Sequence, residues 1–377
     1  MKHRRTMLIL GLFRRGVGFY AVLAVLIVLA AGYAFYSRSG DGSGPAANDA
    51  QQRDAAALAS AGPRSSASRP APSASVSAPV SPSPSASKPS AKPSTEATKK
   101  ASGSGGCALP NYPVAGCTGV PPGWRPKTTR NGDLTITKAG TTLTDYLVTG
   151  SILVKAANVT IRRTRVYGGI DNFISDHIYG RMTVVDTEVV NPPGQEFSDN
   201  QNYAIGVANY TCVRCKIVNR IEGWRIGANS FAGAGGVTIQ DSFAQLAVPP
   251  ALCQAADSPH GDGIQGYGGP MSVIRHNTID QRLDDCGTSP VFIPDQDNAG
   301  GQIDDNLLAG GGYTLRLGGG SFPSVTGNKI VQGTPVYGPL DVDCSKIGDW
   351  SGNAMVDYNW NSGSVTKETK KLTNCGG

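Results

Sequence analysis

A short phrase repeats eight times between residues 161 and 355, and this repetition restricts the chain to few folds. Each phrase has an apolar residue, two variable residues, a small or amide residue, a variable residue and a mostly apolar one. The phrases begin at Ile161, Val184, Cys212, Ile239, Ile274, Ile303, Val325 and Trp350, and are therefore 23, 28, 27, 35, 29, 22 and 25 residues apart. Such a period is typical of stacked coils, in which one repeat cannot bury its apolar face alone. Apolar and polar residues alternate within the phrases, as in strands with one buried face. The sequence therefore predicts an all-β chain folded as a parallel β-helix.

The fourth position of the phrase predicts a stacked turn. It holds Thr164, Thr187, Cys215, Ser242, Asn277, Asn306, Asn328 and Asn353. Asn tolerates left-handed backbone, and its amide can hydrogen-bond locally. We therefore expect a left-handed turn at this position and a ladder of side-chain amides between coils.

The third position alternates in charge along the stack. It holds Arg163, Asp186, Arg214, Asp241, His276 and Asp305. Neighbouring strands lie about 4.8 Å apart, so opposite charges would face each other and fix the register of the coils. We interpret His276 as a rung between two aspartates rather than as a catalytic group.

The first 36 residues predict a membrane anchor. Residues 1–16 are basic, and residues 17–36 then run for twenty residues without a charge. That length suffices to cross a bilayer core as a helix, and the flanking charges place the N-terminus in the cytoplasm and the rest outside. Cleavage as a signal peptide is the alternative, because small residues surround Ala31. In either case the remainder is exported.

Residues 37–106 predict a disordered stalk. They are mostly Ser, Pro, Ala and Lys, and they lack the large apolar residues that a packed core needs. The formal net charge of +6 comes from residues 1–106, because residues 107–377 contain 21 Lys/Arg and 24 Asp/Glu. A slightly acidic folded domain argues against non-specific nucleic-acid binding.

All eight cysteines lie in residues 107–377, as expected for disulfides in an oxidising compartment. The expected pairs are Cys107 with Cys117, Cys253 with Cys286, and Cys344 with Cys375. Cys212 and Cys215 form a C-x-x-C that lacks a thioredoxin-like context or a second ligand pair. We expect them to be paired or buried for structural reasons. Within this β-helix domain, residues 116–124 are expected to cap the lower end and residues 357–377 the upper end.

Two insertions indicate where a functional site was added. The 28-residue spacing contains residues 191–203, with Glu196 and Asn200, and the 35-residue spacing contains residues 244–262, with His260 and Asp262. Long loops on a rigid stack are favoured places for binding and catalysis. Both insertions are expected to wall one groove.

The strands after these insertions carry outward-pointing polar residues. If the strands align, Arg225, Gln265 and Arg316 share one outer face near Tyr267. The next coil adds Asp295 and Asp297. Solvated polar residues that anchor loops are the alternative interpretation.

Three stretches carry a resemblance to a known superfamily. They are Asn158-Val-Thr-Ile-Arg162, the phrases with Asn at the turn, and His260-Gly-Asp-Gly-Ile-Gln265. They are similar to the pectate-lyase-like right-handed parallel β-helix superfamily, and in particular to exported actinobacterial β-helix repeat proteins. The resemblance covers residues 107–377 and implies a right-handed solenoid. Because that superfamily includes lyases, hydrolases, epimerases and adhesins, it implies no single activity.

The resemblance suggests two chemistries. For elimination on a uronate it implies Arg225, Arg316 or His260 as the base, and Asp262, Asp295 or Asp297 as ligands of calcium, which takes several oxygen ligands. The characteristic calcium and arginine motifs of such lyases are not recognisable. For polygalacturonase-like hydrolysis, the Arg-x-Lys matches at 125–127 and 214–216 both precede the His-Gly at 260–261, in the wrong order.

We therefore expect a monomeric, cell-surface-tethered protein that acts on acidic polysaccharide by elimination. His260 and an arginine would transfer the proton, and Asp262 would orient the substrate or bind a cation. The expected substrate-binding residues are Gln265, Glu196, Asn200 and Tyr267. The alternative is a non-catalytic glycan-binding or cell-wall adhesion module that uses exposed aromatic residues such as Tyr203, Tyr267 and Tyr313. A purely structural spacer is a third interpretation.

Overall fold

The structure is a computed structural model that describes residues 107–198, 202–227, 235–254, 261–283 and 286–376. The predicted basic segment 1–16, membrane span 17–36 and stalk 37–106 lie outside these residues. Within the described part of the chain, no helix is long and apolar enough to cross a membrane.

The described chain forms three sheets of stacked strands, numbered here in chain order. Sheet 1 contains β3 (Thr142–Thr144), β6 (Thr160–Arg162), β11 (Met182–Val185), β14 (Tyr210–Val213), β17 (Val237–Gln240), β20 (Ser272–Arg275), β23 (Gly300–Asp304), β26 (Ser321–Thr326) and β29 (Ile347–Ser351). Sheet 2 contains β1 (Thr128–Arg130), β4 (Tyr146–Val148), β7 (Arg165–Val166), β12 (Glu188–Val189), β15 (Lys216–Arg220), β18 (Phe243–Leu246), β21 (Thr278–Gln281), β24 (Leu307–Gly310), β27 (Lys329–Val331), β30 (Ala354–Asn359) and β31 (Ser364–Lys371).

Sheet 3 carries the candidate site. It contains β2 (Leu134–Ile136), β5 (Ile152–Val154), β8 (Ile170–Asp171), β13 (Tyr203–Gly206), β16 (Glu222–Ile226), β19 (Gly261–Gly266), β22 (Gly287–Ile293), β25 (Tyr313–Leu317) and β28 (Gly338–Val342). A small antiparallel hairpin of β9 (Phe173–Ile174) and β10 (His177–Ile178) follows β8. The described helices are α1 (Pro250–Cys253) and a single 3₁₀ turn, Cys344–Lys346.

Each coil visits the three sheets in turn, and its strands pair in parallel with those of the coils before and after it. One coil, for example, runs through β6, β7 and β8. The predicted alignment of the phrases is confirmed in sheet 1, where Ile161 pairs with Val184, and the same column continues to Trp350. These residues enter one continuous apolar core. The described chain is therefore an all-β solenoid of stacked parallel sheets, as a parallel β-helix requires.

The turn after each sheet 1 strand has a different geometry from the one predicted. The left-handed residue is at the third position of the phrase, where φ is 44° at Arg163, 52° at His276 and 69° at Gly327. The fourth position is instead buried. From Thr187 to Asn353, every side chain there except that of Cys215 accepts a hydrogen bond from the backbone of the coil before it. Asn306 Oδ1, for example, accepts from the backbone N of Asn277 at 3.0 Å. The predicted ladder therefore exists, but the left-handed turn lies one residue earlier.

The charged column at the third position is confirmed by its ion pairs. Arg214 Nε lies 2.6 Å from Asp186 Oδ1, and His276 Nδ1 lies 2.7 Å from Asp241 Oδ1. The other nitrogen of His276 lies 3.0 Å from the backbone oxygen of Asn111. Both partners are acceptors, so both ring nitrogens donate only when the imidazole is protonated. Burial lowers the pKa of His276, but the hydrogen bond to Asp241 outweighs it, and the net shift is upward.

The prediction that residues 116–124 cap the lower end of the stack is wrong. This segment belongs to a strap, residues 107–124, that runs down the outside of sheet 2. The Gly119 N–H donates to the Arg214 carbonyl at 2.8 Å, and Trp124 Nε1 donates to Asp145 at 3.4 Å. Higher up, the buried ring of Tyr112 packs against residues of β24, β27 and β30.

All eight cysteines form disulfides. The pairs are Cys107 with Cys117, Cys212 with Cys215, Cys253 with Cys286, and Cys344 with Cys375. At the upper end, β31 pairs antiparallel with β30, and Leu372 joins the core. The Cys344–Cys375 bridge ties the end of the described chain to the coil beneath it.

Candidate functional site

The candidate site lies on the outer face of sheet 3. The register aligns Arg225 with Gln265, Gln265 with Phe292, and Phe292 with Arg316, and Asp341 continues this outer column. Inward-facing apolar residues alternate with the column and enter the core, which fixes the outward direction of its side chains. The structure therefore brings together the two arginines and the glutamine that the sequence placed on one face.

Both insertions enter this sheet from the same side. Residues 191–202 connect β12 with β13, and residues 247–260 connect β18 with β19, so each one leads from sheet 2 into sheet 3. Each insertion therefore precedes a strand that carries site residues.

Arg225 is the centre of the lower part of the site. It is only 4% exposed, and its Nη2 lies 2.6 Å from Glu222 Oε2. Its guanidinium carbon lies 5.3 Å from the ring centre of Tyr203 and 5.0 Å from that of Tyr267. Burial opposes its charge, but the pair with Glu222 outweighs this and raises the pKa of Arg225. A guanidinium held in this way is a fixed cation, and it is not suited to act as a base.

Asp171 lies in the same column, two coils below Arg225. It pairs in register with Gly206 on β13. The register between β13 and β16, continued by one residue, places Gly206 opposite Arg225. The Tyr203 hydroxyl donates to Asp171 Oδ1 at 3.0 Å, and the Phe173 N–H donates to the same oxygen at 2.8 Å. Burial nevertheless raises the pKa of Asp171 to about 6, against the opposing effect of these two donors. Asp171 therefore combines a defined hydrogen-bond geometry with a titration near neutral pH.

The upper part of the site is open and aromatic. The guanidinium carbon of Arg316 lies 4.9 Å from the ring centre of Phe292 and 5.8 Å from that of Tyr313. Its Nε lies 2.8 Å from Asp341 Oδ2, and its side chain is 33% exposed. The ring centre of Tyr313 lies 5.8 Å from that of Tyr337, which is 78% exposed. This part presents the ring of Tyr337, a cation and a carboxylate to solvent, whereas the ring of Phe292 beneath Arg316 is buried.

The other predicted site residues are dispersed. His260 and Asn200 lie outside the described residues. Asp262 is 1% exposed and aligns with Ser289. Gln265 is buried, and its Nε2 donates to the Tyr267 hydroxyl at 3.0 Å. Glu196 is exposed in the first insertion.

The three residues predicted to bind calcium are not gathered into one site. Asp295 and Asp297 are exposed on the turn after β22, whereas Asp262 is buried on β19. Across the described ranges, no group of three or more His, Cys, Asp or Glu residues could hold a metal ion.

Two site residues, Asp171 and Glu222, were missed by the sequence analysis. Asp171 ends a strand of two residues, β8, which is too short to show a period of two. Glu222 lies three positions before Arg225 in the same strand, β16. Alternation along a strand does not place residues at this spacing on one face, so the contact was not indicated by the sequence.

Comparison of the chain with protein-family models, curated proteins and solved structures finds no match. The resemblance to the pectate-lyase-like superfamily therefore stays an expectation.

Proposed function

We propose that the protein is a polysaccharide-active β-helix protein whose glycan-binding site is the outer face of sheet 3. We further infer that the solenoid is right-handed, as in the pectate-lyase-like superfamily, because crossover connections between parallel strands are right-handed in nearly all proteins. The expected anchor and stalk, residues 17–36 and 37–106, would present this face outside the cell.

The length and rigidity of the face support an extended ligand. The column from Arg225 to Asp341 spans four strand-to-strand steps, or roughly 19 Å at about 4.8 Å a step. Its residues are on strands, so their spacing is set by backbone hydrogen bonds and not by loop conformation. A linear polymer with a repeating unit is the kind of ligand that such a regular surface can follow.

The observation that carries the proposal is the stacking of Arg316 on Phe292 and Tyr313 beside the exposed ring of Tyr337. Sugar rings present C–H groups to aromatic faces and hydroxyls to charged groups, and this cluster offers both. The guanidinium is already oriented by two rings and by Asp341, so little conformational entropy is lost on binding. A structural role alone does not account for Tyr337, because a large ring left in water stabilises no core.

The test is affinity electrophoresis of the purified full chain, in detergent, through gels that contain neutral or acidic polysaccharides. We expect Arg316→Gln and Tyr337→Ala each to weaken binding at least tenfold, in line with the loss of about 1.4 kcal/mol or more at a binding hot spot. The matched control is Arg130→Gln, since Arg130 is an exposed strand arginine on sheet 2 that donates to the Asp133 carbonyl. Equal binding by all variants, or no binding by the wild type, would refute the proposal.

Elimination on a uronate-containing glycan is the second candidate function. What supports it is the partly exposed guanidinium of Arg316, because such a group can neutralise a uronate carboxylate. His260 stays the predicted base. The measurement is the ultraviolet absorbance of unsaturated uronates after incubation with acidic polysaccharides, and His260→Ala is expected to abolish its rise. No rise on any acidic substrate would exclude this candidate.

A further inference from the structure

The strap crosses the charged column of the stack at His276. We propose that protonated His276 holds the disulfide loop of the strap, residues 107–117, against the stack, and that loss of this proton at higher pH releases the loop while the stack stays folded. The loop is closed by the Cys107–Cys117 bridge. The inference goes beyond the proposed function, because this contact lies at the turn between sheets 1 and 2 and involves no glycan.

The imidazole of His276 lies between two acceptors, and its side chain is only 8% exposed. Its Nδ1 lies 2.7 Å from Asp241 Oδ1 in the coil below. Its Nε2 lies 3.0 Å from the backbone oxygen of Asn111 in the strap. An imidazole donates from both nitrogens only when it is protonated. The hydrogen bonds that close the loop therefore require the charged form of His276.

Loss of the proton acts on the strap rather than on the stack. Hydrogen bonds to a carboxylate are stronger than those to a neutral carbonyl, so neutral His276 keeps its remaining proton on Nδ1, facing Asp241. The lone pair of Nε2 then faces the Asn111 oxygen at 3.0 Å. Two acceptors at this distance repel each other, so the strap loses its hydrogen bond to the stack.

The carboxylates of the neighbouring coils favour the protonated state. Burial lowers the pKa of His276, but the hydrogen bonds with Asp241 and the Asn111 carbonyl raise it, and so do the charges of Asp241 and Asp305. The net shift of the pKa is upward. The loop is therefore held in acid and through the ordinary titration range of histidine, and it is released above that range.

The cations near His276 are balanced by other carboxylates. Arg214 Nε lies 2.6 Å from Asp186 Oδ1, and Arg275 Nε lies 3.7 Å from Asp305 Oδ2. From the strap, the ring of Tyr112 lies 6.0 Å from the imidazole. Burial raises the pKa of the Tyr112 hydroxyl, so this group stays neutral. His276 is thus the group near this contact that changes its charge between neutral and mildly alkaline pH.

Few other contacts hold the disulfide loop. In the described part of the chain, two hydrogen bonds join residues 107–119 to the stack: the one between Asn111 and His276, and the one from the Gly119 N–H to the Arg214 carbonyl at 2.8 Å. Between them, Tyr112 packs on sheet 2. A cavity of about 380 Å³ separates residues 107–109 and Cys117 from the charged column. The loop is therefore attached at separate points and can open as a local unit.

The experiment measures hydrogen exchange of the purified full chain, in detergent, by mass spectrometry between about pH 5 and pH 9. Wild type is compared with His276→Gln, which does not titrate. The control is His177→Gln, because His177 is exposed in the hairpin of β9 and β10. Exchange of the denatured chain at each pH corrects for the intrinsic effect of pH, and circular dichroism verifies that the stack stays folded.

We expect the protection of peptides from the loop to fall by about tenfold or more in the wild type as the pH rises, because a hydrogen bond from a charged donor is lost. His276→Gln should show no such fall, and His177→Gln should match the wild type. No fall in the wild type, an equal fall in His276→Gln, or a fall that coincides with loss of the β-sheet signal would overturn the inference.

A second variant serves if His276→Gln does not fold. Asp241→Asn removes the carboxylate that favours the imidazolium. The pH at which the loop loses protection should therefore be lower in Asp241→Asn than in the wild type, and an unchanged pH would overturn the inference.

Discussion

Replacing Asn306 with alanine tests whether the ladder of side-chain amides holds the coils together. Asn306 is fully buried. Its Oδ1 accepts from the backbone N and from Nδ2 of Asn277, both at 3.0 Å. Its Nδ2 donates to the carbonyl of Ile274 and to Asn328 Oδ1, also at 3.0 Å. The residue therefore bonds to the coil below and to the coil above.

The size of the effect follows from the groups that alanine leaves behind. The Asn277 N–H loses its acceptor, and the Ile274 carbonyl loses a side-chain donor, both in the dry interior. An unsatisfied buried polar group costs about 1–3 kcal/mol, so the two together give about 2–6 kcal/mol. Natural domains are stable by only about 5–15 kcal/mol. The substitution is thus expected to remove a large part of the free energy of unfolding.

Urea denaturation of the full chain, followed by circular dichroism and tryptophan fluorescence, measures this loss. The control is Asn374→Ala, because Asn374 is exposed and its side chain accepts from the Gly376 N–H; its effect should stay within about 0.5 kcal/mol. A loss below about 1 kcal/mol for Asn306→Ala would show that water or backbone relaxation satisfies the freed groups, and the ladder argument would fail.

Three further predictions concern the site and the strap. Gly206→Ala should displace the Tyr203 ring, because the added carbon would lie 2.8 Å from Cε2 of that ring, and should destabilise the fold by about 1–3 kcal/mol. The control Gly116→Ala should leave stability unchanged, because nothing lies within 4 Å of the added carbon. Equal denaturation midpoints for the two variants would contradict this prediction. The folded-state pKa of His276 is raised. The contribution of this residue to folding stability is therefore complete below about pH 6.5 and is lost as the pH rises through the folded-state pKa. His276→Gln should remove that loss from a curve of folding stability against pH. Because the pKa of Asp171 rises from 3.8 to about 6, folding stability should fall by about 2–3 kcal/mol between pH 4 and 6, and an unchanged slope in Asp171→Asn would refute this.

The sequence predicts the parts of the fold that repeat. The phrase that begins at Ile161 aligns with its neighbours as expected, because burial of one apolar residue per coil leaves a visible period. The ion pairs of the third position follow from the same alignment. The left-handed residue was predicted at the fourth position of the phrase, but in the structure it is at the third. Asp and His also adopt that conformation more readily than most residues, so Asp186 and His276 carried the signal that was overlooked.

The parts that do not repeat were missed. The strap of residues 107–124 has no period, and its position depends on single contacts such as that of Asn111 with His276. Asp171 lies in a strand of two residues, and its role depends on Tyr203, 32 positions away along the chain. Contacts of this kind are set by the stacking of coils and leave no local pattern.

The outward direction of the two arginines of the outer column could be predicted for the same reason that the core residues could. In a strand, a shift of one residue turns every side chain to the opposite face, so the register that buries Trp224 and Leu315 also directs Arg225 and Arg316 outward. A coil that slipped by one residue would lose its core contacts and would bury an arginine in the apolar interior. Because the ladder and the ion pairs oppose that slip, the interactions that stabilise the solenoid are also those that keep the site residues aligned. Substitutions in the ladder should therefore weaken glycan binding only to the extent that they unfold the coils, whereas Arg316→Gln should weaken binding in a protein that stays folded.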